Sequence, residues 1–202
     1  MLNHSVEPRY LSIGCGNTPR ERVHAIFRNP SWREIRQDIN PEVAPEILCS
    51  MTDLSCLNDA SMHGLWSSHN LEHLHNFEVA QTLREFRRIL LPGGFAIITV
   101  PDIQKLGTYL STDRLTDTLY QSSSGPISAL DILFGHQESI RRGNHYMAHK
   151  TAFSGRLLGE AILAAGFYEV KVVAGNHWDL WALASTATIS DELMQAFCEG
   201  II

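Results

Sequence analysis

The 202-residue chain lacks several features that would place it in whole classes of protein. No apolar run approaches the roughly 18–20 residues that a membrane-spanning helix needs. Residues 1–9 contain no apolar signal region, so we expect a cytoplasmic protein. Its four cysteines form no CxxC pair, which favours free thiols. Its 22 acidic residues outnumber its 16 basic residues, so no nucleic-acid partner is expected.

What the chain does contain is an alternation of strand and helix patterns. Short apolar runs predict strands at residues 9–13, 32–37, 46–50, 64–68 and 95–100. Apolar residues at helical spacing predict helices at residues 18–28, 71–91, 154–165 and 191–198. Such alternation is typical of a parallel sheet with right-handed crossovers. Strands at 168–174 and 180–185 are separated by too short a link for a crossover, which predicts an antiparallel hairpin.

Residues 102–152 interrupt this alternation. They are rich in Ser, Thr, Gly and His, and they carry only short apolar pieces. We interpret them as an insertion over the ligand-binding edge of the sheet, within a single domain that spans residues 1–202. Apolar residues at 127–134 favour a lid or a homodimer face, and the sequence does not separate the two.

A glycine turn and two acidic residues follow the first three predicted strands. Gly14 and Gly16 end the first strand, where glycine lets a ligand approach the backbone closely. Asp38 follows Gly16 by 22 residues (38 − 16 = 22), at the end of the second strand. A carboxylate there can accept both hydroxyls of a ribose. Asp53, after the third strand, can accept a hydrogen bond from an adenine amino group.

Position 19 decides between nucleotide cofactors. A dinucleotide fingerprint needs a third glycine there, but the residue is Pro19, which has no N–H to offer a pyrophosphate. An adenosyl cofactor without phosphates loses nothing from this change. A nicotinamide-dependent oxidoreductase is therefore the weaker alternative, and a turn that binds no ligand is also open.

Five stretches of the sequence resemble class I S-adenosylmethionine-dependent methyltransferases of the type 11-like group. They are Tyr10–Gly16, Arg36–Pro41, Met51–Leu54, Ser67–Leu74 and Ile89–Pro101. The last stretch contains Leu91-Pro92-Gly93-Gly94 before an apolar strand, a familiar mark of this family. The resemblance implies a Rossmann-like α/β three-layer sandwich. Its mostly parallel seven-stranded sheet would end in an antiparallel hairpin.

The resemblance also implies roles for individual residues, with S-adenosylmethionine as the cofactor. The methionine end of the cofactor would lie against Gly14, Cys15 and Gly16. Asp38 would hold the ribose and Ile39 would pack on the adenine. Asp53 and the Leu54 N–H would bind the adenine edge. The residues beside the sulfonium and the acceptor would be Ser67, Ser68 and His69.

Histidines form two groups in the sequence. His69, His73 and His75 fall in the fourth-strand motif of the family, so we expect them to shape the pocket, and no metal site is predicted. In the insertion, His145 and His149 are our candidate bases for an acceptor proton, although each is also open to a purely structural role.

These observations predict a methyltransferase that acts on a small molecule or on a glycan or lipid precursor. The alternative is a binding or scaffold protein that has kept the fold and lost turnover.

Overall fold

The computed structural model describes residues 7–122 and 124–201, which form a seven-stranded sheet with helices on both faces. The strands are β1 (Arg9–Ile13), β2 (Arg33–Asp38), β3 (Ile47–Leu48), β4 (Met62–Ser68), β5 (Leu90–Pro101), β6 (Thr118–Ser122), β7 (Gly125–Ser128), β8 (Glu169–Ala174) and β9 (Asp179–Ser185). The helices are α1 (Ala25–Arg28), α2 (Asn76–Ile89), α3 (Gly107–Ser111), α4 (Ala129–Phe134), α5 (Gln137–Arg141), α6 (Gly155–Ala164) and α7 (Asp191–Glu199). Within the described residues, no helix is both long and apolar enough to cross a membrane.

The sheet has the strand order β3-β2-β1-β4-β5-β9-β8. Strands β1 to β5 pair in parallel, whereas β9 runs antiparallel to both β5 and β8. Helices α2 and α6 pack on one face of the sheet, and α1 and α7 pack on the other. The predicted three-layer α/β fold and its antiparallel C-terminal hairpin are confirmed.

The helix predicted from Thr18 is wrong. Residues Arg20–Arg22 form a single 3-10 turn, and α1 begins only at Ala25, after His24. The Arg20 guanidinium holds this segment in its compact path, because it donates to three backbone carbonyls: those of Phe27, Asn29 and Trp32. Among the described residues, the first α-helix after the glycine turn is therefore the four-residue α1.

Two other predicted boundaries also differ. Helix α2 begins at Asn76, because Leu71–His73 form a separate 3-10 turn and the His75 N–H donates to the Glu78 carboxylate at 2.8 Å. The strand predicted at residues 95–100 begins earlier, because Pro92–Gly94 lie within β5 and do not separate it from α2. The pairing of β5 with β4 shifts its register at this point.

Residues 102–152 form the hairpin β6–β7 and the short helices α3, α4 and α5. They have a small hydrophobic cluster of their own, in which Leu106, Ile127 and Ile132 are buried. Trp178, from the link between β8 and β9, packs on this cluster and lies 5.3 Å from the Tyr109 ring. The link thus ties the segment to the sheet, and it places the segment beside the carboxyl ends of the strands.

His24 links α1 to the C-terminal helix α7 in the core. It is fully buried, its Nε2 lies 3.0 Å from the Phe197 carbonyl oxygen, and its Nδ1 accepts the Ile26 N–H at 3.3 Å. Both ring nitrogens are therefore satisfied in the neutral form. Burial lowers the pKa of His24 from an ordinary 6.5 to about 4.

We expect His24 to make the fold acid-sensitive. Because folding lowers its pKa, the neutral His24 ring stabilises the folded state fully above pH 6.5. This contribution to the free energy of unfolding is lost as the pH falls towards 4. The expected loss between pH 7 and pH 5 is roughly 2 kcal/mol. Urea unfolding at the two pH values measures it. His24→Gln keeps a donor and an acceptor but cannot titrate, and an equally steep pH dependence in this variant would contradict the assignment.

Candidate functional site

The glycine turn after β1 contains two glycines with different roles. Both have positive φ, +54° at Gly14 and +48° at Gly16. A Cβ at Gly14 would overlap the side-chain amide of Asn70, which donates to the Ile13 carbonyl at 2.8 Å. A Cβ at Gly16 would meet no atom within 4 Å in the described structure. Gly14 is thus required by packing, whereas Gly16 leaves open space beside the turn.

Asp38 is fixed at the end of β2 by two backbone donors. Its Oδ2 accepts the Gly16 N–H and its Oδ1 accepts the Asn40 N–H, both at 2.8 Å. The side chain is largely buried, with 8% of the residue exposed. An ionised carboxylate has about four acceptor positions, so two remain for a ligand. The arrangement suits the two hydroxyls of a ribose.

The glycine turn and Asp38 lie in a cleft of about 850 Å³ at the carboxyl ends of the parallel strands. This is the edge at which parallel α/β sheets bind ligands. The sequence-predicted residues that line it are Gly14, Gly16, Asp38, Ile39, Ser68, His69, His145 and His149. Further lining comes from residues 102–152 and from the link between β8 and β9, including Tyr120, Ile132, Tyr146 and Trp178.

Four other predicted residues lie elsewhere. Cys15, between the two glycines of the turn, is buried and borders a smaller cavity that Trp66 also lines. Ser67, in β4, is fully buried. Asp53 borders a separate surface depression, where its carboxylate accepts the Ser55 N–H at 3.0 Å. Leu54 is fully buried, and its N–H donates to the Glu85 carboxylate at 2.9 Å.

The structure therefore does not bring Asp53 and Leu54 to the cleft, because the chain turns away at Asp53. Met51 and Thr52, which precede them, line the cleft in this region. The adenine contacts of Asp53 and Leu54 stay predictions.

Glu72 is a cleft residue that the sequence placed in the pocket-shaping motif Ser67–Leu74 but gave no role of its own. It lies in the 3-10 turn after β4 with 1% of its surface exposed, and its Oε1 is 3.2 Å from Nδ1 of His69. Burial raises the pKa of Glu72, but His69, His73 and His149 outweigh this effect and hold the pKa below its ordinary value. His69 is exposed, and the Glu72 carboxylate beside it raises the pKa of its imidazole.

The histidines regroup in the folded chain. His75 does not pack with His69 or His73 but stacks on the Phe77 ring, with the ring centroids 5.6 Å apart. His73 instead meets His149 of the insertion, and their ring centroids are 4.9 Å apart. Burial lowers the pKa of His149.

One signal in the sequence could have marked Glu72: a carboxylate between the apolar residues Leu71 and Leu74 at the start of a predicted helix.

Comparisons with known proteins agree with this architecture. Residues 11–98 match the model of a family described as a methyltransferase domain. The fold is similar to that of an S-adenosylmethionine-dependent methyltransferase from Archaeoglobus fulgidus. That alignment has 15% identity and a TM-score of 0.58, and it covers 88% of this chain and 86% of that chain. No curated protein sequence matches the chain.

Two further solved structures are similar at the same level. One is 1,6-didemethyltoxoflavin-N1-methyltransferase from Burkholderia thailandensis, with bound 1,6-didemethyltoxoflavin and S-adenosylhomocysteine (18% identity, TM-score 0.55, 90% of this chain and 72% of that chain). The other is a possible histamine N-methyltransferase from Thermotoga maritima (16% identity, TM-score 0.56, 90% of this chain and 83% of that chain). At these identities the likeness shows the fold.

The family match runs from β1 to β5, and the glycine turn, the seven-stranded sheet and its antiparallel hairpin complete the same architecture. Residues 11–98 are thus similar to a methyltransferase-domain family, and the fold around them is that of solved S-adenosylmethionine-dependent methyltransferases.

Proposed function

We propose that the protein transfers the methyl group of S-adenosylmethionine to a small-molecule acceptor, with the adenosyl part of the cofactor held by Asp38 and the glycine turn. The observation that carries this proposal is the Asp38 carboxylate, fixed by two N–H donors at the edge of an open cleft. The open space beside Gly16 supports the same placement, because a cofactor can approach the backbone there.

When bound, S-adenosylmethionine supplies an electrophilic methyl group on its sulfonium, so the chain has mainly to orient the acceptor and exclude water. Orientation of this kind contributes up to roughly 7–11 kcal/mol in favourable cases. Ser68 and His69, at the end of β4, are proposed to lie beside the sulfonium and the acceptor.

The size of the cleft supports a small acceptor. Its volume of about 850 Å³ lies near the upper end of the roughly 300–1,000 Å³ that small-molecule sites occupy. The cofactor must share this space with the acceptor. A glycan or lipid precursor would therefore place only its reactive part in the cleft. The two similar structures named for small nitrogen heterocycles or amines support the small-molecule reading.

An acceptor that must lose a proton needs a base, and we propose His145 for this role. It is exposed, and it lines the same cleft as Asp38. His149 is less suited, because its Nδ1 is held 2.8 Å from the Ile132 carbonyl oxygen and its ring packs on His73.

Turnover with a panel of acceptors, followed as S-adenosylhomocysteine released, tests the proposal. His145→Ala is expected to lower kcat by roughly 10²- to 10⁴-fold, the usual contribution of a general base, with cofactor affinity unchanged. His177→Ala removes another cleft histidine and is the matched control. Equal effects of both variants would contradict the role of His145. Cofactor binding without turnover on any acceptor class would favour the inactive scaffold.

A further inference from the structure

We infer that Glu72, His73 and His149 bind one divalent transition-metal ion in the wall of the cleft. One possible ligand atom from each of the three side chains lies within 4.8 Å of the other two. All three residues line the cleft, and His149 is contributed by the insertion while the other two follow β4.

The Glu72 carboxylate is the first observation that points to a cation site. It is 1% exposed, and neither of its oxygens has a hydrogen-bond partner among the described residues. His69 Nδ1 lies 3.2 Å from Oε1, within ion-pair distance but without a hydrogen bond to it. A buried carboxylate without hydrogen bonds is costly unless a proton, a charged partner or a metal ion compensates it.

In both histidines, one ring nitrogen is held by a backbone carbonyl oxygen, an arrangement common in metal-binding histidines. His73 Nδ1 lies 3.1 Å from the Ala148 carbonyl oxygen, and His149 Nδ1 lies 2.8 Å from the Ile132 carbonyl oxygen. A carbonyl oxygen can only accept, so each Nδ1 must carry the proton. In the neutral form of each ring, the Nε2 lone pair can then bind a metal ion. Fixing one ring nitrogen on a backbone carbonyl is the usual support for a histidine that binds a metal through the other.

The backbone around the three residues is also fixed. The Glu72 carbonyl accepts the N–H groups of Lys150 and Thr151, at 2.7 Å and 3.2 Å. The His149 N–H donates to the Phe134 carbonyl at 3.2 Å. The insertion is therefore held against the turn after β4, and an ion at this position would crosslink the two.

Two imidazoles and one carboxylate suit zinc or iron(II), and they leave coordination positions open for water or substrate. Closing the three side chains on an ion with bonds of about 2.0–2.2 Å requires small side-chain rotations. If the proposed methyl transfer is correct, an open position in this wall would bind a hydroxyl acceptor and lower its pKa. This last step rests on the proposed function, whereas the metal site does not.

The probe is Zn²⁺ added to chelator-treated protein, with stoichiometry from elemental analysis and affinity from calorimetry. We expect one Zn²⁺ per chain, and at least tenfold weaker binding in Glu72→Gln and in His149→Ala. His136→Ala is the matched control, because His136 lines the same cleft but its Nδ1 bonds the Ser139 hydroxyl at 2.7 Å. Circular dichroism checks that each variant folds, and His73→Ala replaces any variant that does not.

Three outcomes would overturn the inference. They are the absence of stoichiometric binding, equal affinity in the wild type and in both ligand variants, and a thiolate charge-transfer band when Co²⁺ replaces Zn²⁺. Such a band would place the ion on Cys49 and Cys56, whose sulfur atoms are 3.6 Å apart. A parallel titration with S-adenosylhomocysteine separates the two proposals. If it binds and Zn²⁺ does not, only the metal site fails, and the reverse result removes only the proposed function.

Discussion

Replacing Asp38 with alanine is expected to weaken S-adenosylhomocysteine binding by roughly 10- to 150-fold. This range corresponds to a loss of about 1.5–3 kcal/mol, which is typical of a hydrogen bond to a charged group. The carboxylate is held at the cleft by the Gly16 and Asn40 N–H groups, so it needs no reorganisation to accept the ribose hydroxyls. Isothermal titration calorimetry on folded protein measures the change.

Asp53→Ala provides the matched control for Asp38→Ala. The two residues are the acidic groups that the sequence proposed for the adenosyl moiety, but Asp53 borders a different depression and bonds the Ser55 N–H. We expect its removal to change the affinity less than twofold, well below one hydrogen bond. Unchanged affinity in Asp38→Ala would remove Asp38 from the site. A large loss in Asp53→Ala would show that the loop after β3 moves to the cofactor.

Gly14→Ala is expected to destabilise the fold by about 2–5 kcal/mol. A side chain in the left-handed region costs roughly 1–2 kcal/mol. The new methyl group would also displace the Asn70 amide from the Ile13 carbonyl, and an unpaired buried group costs a further 1–3 kcal/mol or so. For a chain of this size the melting temperature should fall by roughly 4–20 °C.

Gly16→Ala separates the two contributions. Its φ of +48° carries the same backbone cost, but a Cβ there meets no described atom within 4 Å. We expect a loss of only about 1–2 kcal/mol. Equal destabilisation of the two variants would show that Asn70 does not restrict position 14.

The sequence predicted the sheet well because its signals are local. The five parallel strands and the C-terminal hairpin follow from short apolar runs and the lengths of their links. The helix predicted at residues 18–28 failed, although its apolar residues have helical spacing. The Arg20 guanidinium bonds three carbonyls further along the chain, and this competing arrangement depends on tertiary structure that local patterns do not encode.

The candidate site was predicted where residues directly follow strands. Asp38 and the glycine turn reach the cleft because parallel strands end at one edge. The placement of Asp53 did not follow from this rule, because β3 ends at Leu48, five residues earlier (53 − 48 = 5), and its end does not position the carboxylate. The meeting of His73 with His149 was also hidden, since the two are 76 residues apart in the chain (149 − 73 = 76) and only the folded insertion brings them together.

The binding of an adenosyl cofactor in the cleft is tested most directly by the thermal stability of the wild-type protein with S-adenosylhomocysteine or with NAD. A ligand at 100 times its Kd adds about 2.7 kcal/mol to folding stability, and roughly 2–4 °C per kcal/mol then gives a rise of about 5–11 °C. We predict this rise with S-adenosylhomocysteine and none with NAD. A rise with NAD and none with S-adenosylhomocysteine would contradict the assignment of the cleft.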